Sequence, residues 1–465
     1  MLNSIKIIKI IFLLSFAQFL GKTSNRELQM VQVLFRHGAR YTMHGNLLKN
    51  DPEIKMLMDN RGQLTEVGMR QLYLLGKKIR KNYIMDLNFI DEQYNKQQIH
   101  VQSSNVNRTL QSAQSFMLGL YPIGTGFQIP TGVKSELLSP PSFTNSDSDK
   151  ELLNDNFINN QALPSGFYPY PIHSLGNHDH ILNPPCPAED EIVENQYKKA
   201  EKQIQEEINK YTQEIHTITK KLNIKGNFVA KNITKIQDII NTQKYRGIDY
   251  GITEEEYQLV MYLKTYVKVL QQFTFDYSRL ISSPLFNYIF SHFDNKINDN
   301  TSLKMIIEST HDSQIMPMLV MLQLVNAECL KADYDNETNN CQRFPPFASN
   351  FIFELYSLGQ DDYEIQIKYN GNYIKICGDK IFCSYKEFKN QILKKVVNMD
   401  DYPNQCGLTA ESNFRKSDKK SYIPVWIIVF IVILVLVIIG LVIYIKKIQN
   451  DYNIHYERFK NVVSI

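Results

Sequence analysis

Apolar and polar positions fall in blocks that predict an α/β protein. Residues 30–35 (Met-Val-Gln-Val-Leu-Phe) are apolar except for Gln32, the pattern of a strand buried in a core. Thr65 is a good N-cap for a helix reaching about residue 83, with Val67, Leu72, Leu75 and Ile79 on its inner face. A short strand is expected at 99–103. A helix at 105–121 should then turn Leu110, Ala113, Met117 and Leu120 inward. Strand, helix, strand, helix in that order implies parallel strands. From 132 to 251 the pattern changes. Pro140-Pro141, 146–150 and 169–171 read as loops. Residues 192–222 read as one long amphipathic helix, with Val193, Tyr197, Ala200, Ile204, Ile208, Tyr211, Ile215, Ile218 and Leu222 on a single stripe. That stripe could serve a coiled-coil partner, but packing on its own domain is the commoner use. The core resumes with helices near 254–272 and 278–293, a strand at 303–308, and an antiparallel pair at 351–356 and 363–369. The expected architecture is α/β: a mostly parallel sheet flanked by helices. Residues 27–131 and 252–416 form the core, and 132–251 form a mainly helical insertion that acts as a lid.

Both ends of the chain change this picture. Lys6 and Lys9, an apolar stretch at 10–20 and small residues at Ala17 and Gly21 read as a signal peptide over 1–22. Residues 423–445 carry no charge, are dominated by Ile, Val and Leu, and are long enough for a transmembrane helix. Tyr422, Trp426 and Tyr444 suit its interfaces, and Lys446-Lys447 suits a cytosolic end. The expectation is a single-pass type I membrane protein, held in lipid by one span, with a cytoplasmic tail at 446–465. Tyr456-Glu457-Arg458-Phe459 fits a tyrosine-x-x-hydrophobic sorting signal, so Tyr456 and Phe459 are candidate contacts for a sorting adaptor. The ectodomain would be luminal or extracellular, in lysosomes or endosomes or at the cell surface.

Composition agrees with that reading. With 43% hydrophobic and 21% charged residues, most of the chain should pack. The net charge of +3, without a long basic block, argues against nucleic acid as a partner. All six cysteines lie between signal and span, an even number suited to an oxidising compartment, and sequence alone allows fifteen pairings. No CxxC pair supports a structural zinc site. Sequons stand at Asn232, Asn300 and Asn336. A fourth, at Asn107, is compromised by the role expected for Arg108. A homodimer is left open.

The densest chemistry is Arg36-His37-Gly38-Ala39-Arg40, directly after the first strand. Two guanidiniums keep the imidazole neutral, and a neutral imidazole amid fixed cations is a nucleophile in an anion cradle. Planar guanidiniums match phosphoryl oxygens bidentately. Arg108 enters a helix after the second strand, and His311-Asp312 ends the strand at 303–308. Sites in open α/β sheets form beyond the carboxyl ends of strands, so the three segments should share one cleft. A second His-Asp pair, His178-Asp179, has no apolar strand before it and reads as surface structure. Neither GxSxG nor a Walker motif is present.

These residues, in this order with Leu64-Thr65, Gly68, Gln71, Gly76, the run from Asn107 to Ala113 and the run from Phe344 to Ser349, resemble the histidine acid phosphatase family, branch 2 of the histidine phosphatases. Its membrane-bound lysosomal members share the plan of ectodomain, span and short tyrosine-bearing tail. The resemblance implies a phosphoglycerate mutase-like core and hydrolysis of phosphate monoesters at acidic pH. In that scheme His37 is the nucleophile that becomes phosphohistidine. Arg36, Arg40 and Arg108 bind the phosphoryl oxygens, His311 adds a donor, and Asp312 protonates the leaving alcohol. The cations replace a metal, and no cofactor is implied. It also implies the disulfides Cys186–Cys406 and Cys377–Cys383, which leaves Cys329 with Cys341. The family commonly has proline two positions past the second arginine, where this chain has Thr42; substrate preference therefore stays open. Phytate or another inositol phosphate is the alternative substrate, and an inactive binding protein on the same fold the non-enzymatic alternative.

Overall fold

A computed structural model describes residues 26–408 except 49–50, 144–145, 148, 150–159, 225–231, 300 and 338–340, and beyond them 441 and 444–447. The signal peptide, Asn300, Tyr456 and Phe459 lie outside the described residues, as does nearly all of the expected span at 423–445. No helix among the described residues is long and apolar enough to cross a membrane. Met1–Leu408 is one compact unit and Thr409–Ile465 another.

The first unit is built on a seven-stranded sheet. Strand β1 (Glu27–Arg36) lies at its centre. β2 (Ile99–Ser103) and β3 (Met305–Thr310) run parallel to it in the order β2-β3-β1. On the other side, β4 (Asn350–Gly359) pairs antiparallel with β1 and with β5 (Asp362–Tyr369). β6 (Asn372–Tyr373) and β7 (Phe382–Ser384) both pair antiparallel with β5. The sheet is therefore mixed, not mostly parallel as expected. The local cause is turn chemistry. Gln360 and Asp361 take positive φ (55° and 59°), as do Asn370 and Gly371 (49° and 87°), and two such residues in succession make the tight turn that folds a strand back beside itself.

Both faces of β1 are buried. Val31, Val33 and Phe35 meet α2 (Glu66–Arg80) and α3 (Asn107–Leu120), and Phe35 stacks on Phe116 at 4.9 Å. Met30 and Leu34 face a second cluster. It is shared by α7 (Glu254–Gln271), α8 (Phe275–Asp299) and α9 (Asp312–Met321). The helices of the insertion join that same cluster: α4 (Glu189–Asn209), α5 (Thr212–Lys221) and α6 (Ile233–Lys244). An earlier short helix, α1, spans Ile54–Asp59.

Three local expectations are corrected. The long helix at 192–222 is two helices, broken at Tyr211, whose ring stands edge-on to Tyr262 and Tyr334. Val67 is 40% exposed, because α2 packs through Gly68, Leu72, Gly76 and Ile79 instead. A Cβ at Gly76 would lie 2.0 Å from the Phe116 carbonyl oxygen, so glycine permits the two helices to touch backbone to backbone. Asp179 is not at the surface: it is 2% exposed, and its Oδ1 accepts from the amides of Ile181 and Leu182. Thr65 caps α2 as expected, accepting from Gly68 N at 3.1 Å.

The structure joins Cys186 to Cys406, Cys329 to Cys341 and Cys377 to Cys383. The first link ties the start of α4 to the end of the compact unit. Asn336 is exposed, Asn107 is exposed on the first turn of α3, and Asn232 is half-buried just before α6.

Candidate active site

The carboxyl ends of the three parallel strands deliver the chemistry to one place. β1 ends at Arg36 and passes to His37, β3 passes to His311 and Asp312, and β2 passes through Ser104 to Arg108 in the first turn of α3. The backbone at this edge is fixed by several hydrogen bonds. His37 N donates to Thr310 O (2.9 Å), Arg36 N to Ser349 O (2.9 Å) and Ala348 N to His37 O (3.1 Å). Gly38 N donates to Ser112 Oγ and Ala39 N to Gln71 Oε1. Gly38 lies against the backbone of Gly68, where a Cβ would come within 2.3 Å of the Gly68 oxygen.

His37 is 2% exposed, and its Nδ1 lies 2.8 Å from Gly38 O. A carbonyl can only accept, so Nδ1 carries the proton and Nε2 keeps its lone pair. Burial first, and then Arg36, His311, Arg108 and Arg40, hold this imidazole well below the usual histidine range. It stays neutral in mild acid.

Arg36 is bound on two sides. Nη1 donates to Pro345 O at 2.6 Å and Nη2 pairs with Asp312 at 2.5 Å, while the buried Nε has no partner among the described residues. Phe347 covers the guanidinium at 4.4 Å and lies 5.8 Å from the His37 ring. Burial would raise the Asp312 carboxyl, but Arg36, Lys264 and Arg40 outweigh it and hold it well below the usual carboxylate range. Its side chain remains 29% exposed. With these cations around it, the Asp312 carboxyl is an anion.

His311 is held by two neighbours. Arg108 Nη2 can only donate, so the His311 Nδ1 at 3.3 Å accepts; Nε2 then carries the proton toward Ser104 Oγ at 2.9 Å. Ser104 in turn reaches Thr109 Oγ1 at 2.8 Å. Burial and Arg108 press His311 down to about 3. Its lone pair therefore faces the Arg108 guanidinium. Burial and Arg40 likewise lower Arg108, to about 10, and its Nε has no partner among the described residues.

Sequence reasoning missed Asp238, in α6. Its carboxylate accepts from Arg40 Nη2 (2.8 Å), Thr42 Oγ1 (2.8 Å) and Met43 N (2.9 Å). The insertion thereby fixes the second arginine of the cradle, and Thr42, which departs from the family pattern, is one of the ties. The available signal was an acid set among Ile236, Ile239 and Ile240. Lys264 and Ser104 were also missed. Lys264 follows the apolar run Leu259 to Leu263 of α7; Ser104 has no distinguishing pattern.

The architecture and the sequence comparisons meet at this cleft. The profile of the histidine phosphatase superfamily (branch 2) matches residues 27–370. The chain belongs to that family. The resemblance carried by the Arg36–Arg40 run and its companions is confirmed at this level. Prostatic acid phosphatase of Bos taurus is 26% identical over 363 residues, covering 75% of this chain and 79% of the relative. Lysosomal acid phosphatase of Xenopus laevis is 24% identical over 410 residues, covering 83% and 80%. Among solved structures, the phytase from Citrobacter braakii superposes with a TM-score of 0.54 at 16% identity, covering 82% of this chain and 100% of that one. The Hafnia alvei phytase gives 0.56 at 13% identity, covering 82% and 98%. At such identities the structural likeness speaks for the branch 2 fold alone.

Proposed function

We propose that this protein is an acid phosphatase that hydrolyses phosphate monoesters through a phosphohistidine at His37. The observation that carries the reading is the His37 ring: proton on Nδ1, lone pair on Nε2, surrounded by Arg36, Arg40 and Arg108. The phosphoryl group enters among these cations and displaces Asp312 from Arg36, so Asp312 takes up a proton. Nε2 attacks phosphorus as the bond to the alcohol oxygen breaks, and Asp312 gives its proton to that oxygen. Water then attacks the phosphorus, the P–N bond breaks, and Asp312 accepts the water's proton. The guanidiniums stabilise charge throughout. Both required states, neutral His37 and protonated Asp312, favour an acidic optimum.

A phytate specificity is less well supported. Arg40 is paired with Asp238, Arg246 with Glu53 and Lys244 with Glu254, so a polyanion would have to compete for these three cations. The signal, the uncharged stretch at 423–445 and the cysteine pattern support action on the luminal or extracellular side of a membrane, in keeping with relatives named lysosomal and prostatic. The test is turnover of p-nitrophenyl phosphate between pH 4 and 8 by the full chain and by His37→Ala, with rapid-quench trapping of labelled phosphate. Label on residue 37 and loss of turnover in the variant support the reading; equal turnover by both proteins overturns it.

A further inference from the structure

The site as described leaves one buried charge without a task. Lys264 stands on α7 among Leu259, Val260, Leu263 and Val267 and is only 9% exposed. Its Nζ lies 3.5 Å from the centre of the Phe344 ring. Among the described residues it makes no hydrogen bond and no ion pair. Lys268, one turn along, is committed to Gln272 at 2.8 Å. The neighbourhood of Lys264 is the cleft itself. Arg36 lies 5.7 Å from the same Phe344 ring, and Phe344 N donates to Thr265 Oγ1 at 3.1 Å, which docks the 344–347 loop on α7 beside Lys264. Burial lowers Lys264 to about 7. Of the charges acting on it, Asp312 is the strongest and favours the ammonium, with Arg36 opposing, Asp238 favouring and Arg40 opposing.

A buried ammonium with unused donors is costly, and the cost is relieved when a ligand brings an anion. The neighbouring guanidiniums say which part of the ligand that is. Arg36, Arg40 and Arg108 already surround the transferred phosphoryl group, so a further cation flanking the same Phe344 ring as Arg36 is left for an anion that the alcohol carries. We propose that Lys264 forms an anion subsite on the leaving-group side, selecting monoesters whose alcohol carries a second anionic group, a carboxylate or another phosphate. This rests on the phosphatase reading for the placement of the ester.

Binding tests it without requiring turnover. Phosphonoacetate, 3-phosphonopropionate and 4-phosphonobutyrate are titrated calorimetrically into the full chain at pH 5.5, each against the alkylphosphonate of the same length. Alkylene bisphosphonates form a parallel arm. At least one dianionic ligand should bind on the order of 10-fold tighter than its partner, the scale of one charge-assisted hydrogen bond. K264M should reduce that ratio to about one, and K264R should keep most of it. Preference confined to the bisphosphonates assigns the subsite to phosphate; preference confined to the carboxylates assigns it to carboxylate. No preference in the unmodified protein, or the same ratio in K264M, overturns the proposal. Turnover of p-nitrophenyl phosphate is judged separately, so loss of the phosphatase reading and loss of the subsite are distinct results.

Discussion

The same face of the same three strands carries two polar clusters that solve the problem of burial differently. At the carboxyl edge, Arg36, Thr310 and Ser104 lead into a site where charges answer one another: Arg36 with Asp312, Arg40 with Asp238, Arg108 with the His311 lone pair. Two to four residues back along the strands lie Gln32, Glu308 and Gln102, backed by Tyr288 of α8. Here Gln32 Nε2 reaches Ile289 O and Tyr288 reaches Gln102 Oε1, yet both Glu308 oxygens, Gln102 Nε2 and Gln32 Oε1 lack a protein partner among the described residues. Glu308 is 1% exposed, and burial alone pushes its carboxyl up to about 8. The outer cluster keeps its carboxylates ionised with cations. The inner one keeps its carboxyl neutral with a proton.

If the outer cluster is arranged for chemistry, its ring nitrogen is the point of greatest sensitivity. His37→Ala should lower hydrolysis of p-nitrophenyl phosphate by about 10⁴-fold or more, as loss of a nucleophile does elsewhere. A residual rate within about 10-fold of the unmodified protein would erase the distinction between the clusters.

The inner cluster makes the next largest prediction, on stability. Glu308 has an ordinary value of 4.5 in the unfolded chain and about 8 when folded. The folded state therefore holds the extra proton between those limits. Its stabilisation is complete below about pH 4.5, is lost progressively as pH rises, and is gone above about pH 8. The amount is on the order of 5 kcal/mol. Thermal unfolding followed from pH 4.5 to 8.5 should show that decline, and Glu308→Gln, neutral at every pH, should flatten it. Parallel curves for the two proteins would mean that Glu308 is ionised in the fold.

Between the clusters and the insertion stands Asp238. Burial would raise its carboxyl, but Arg40 outweighs this and keeps it below the usual range, so the clamp persists in acid. Asp238→Asn keeps the size and weakens charge-assisted bonds of about 1.5–3 kcal/mol, so kcat/KM should fall roughly 10- to 100-fold. The inhibition constant of inorganic phosphate should rise with it, which a purely structural role would not require. Unchanged phosphate inhibition would remove Asp238 from the positioning of Arg40.

The two clusters also mark how far the sequence could be read. The outer one was legible because Arg36, His37, Arg40 and Arg108 sit in linear runs beside predictable strand and helix ends, and because His311-Asp312 follows an apolar strand. Its supports were not legible. Asp238 and Lys264 come from helices some 200 residues downstream, and periodicity reports which face of a helix is buried but not what that face meets. The inner cluster was invisible because Gln32 and Glu308 look like single polar breaks in apolar strands. The inward Val67 and the unbroken helix over 192–222 failed for a related reason. Glycines at a helix contact and an aromatic ring with better partners elsewhere overrode the apolar period.

Thr42 offers the finest test of the contrast, because one hydroxyl separates a tied cradle from a loose one. Its side chain is fully buried, donates to Asp238 Oδ2 at 2.8 Å and accepts from His44 N at 3.0 Å. Thr42→Val keeps the shape and removes both bonds. A net hydrogen bond is worth about 0.5–1.5 kcal/mol, so kcat/KM should fall roughly 2- to 10-fold. Thr42→Ser should restore most of the loss. Since Thr42 acts through Asp238, the double variant with Asp238→Asn should lose little more than Asp238→Asn alone. Losses that multiply fully would show that Thr42 shapes the cleft mouth on its own account, and that the tie to the insertion is not what holds Arg40 in place.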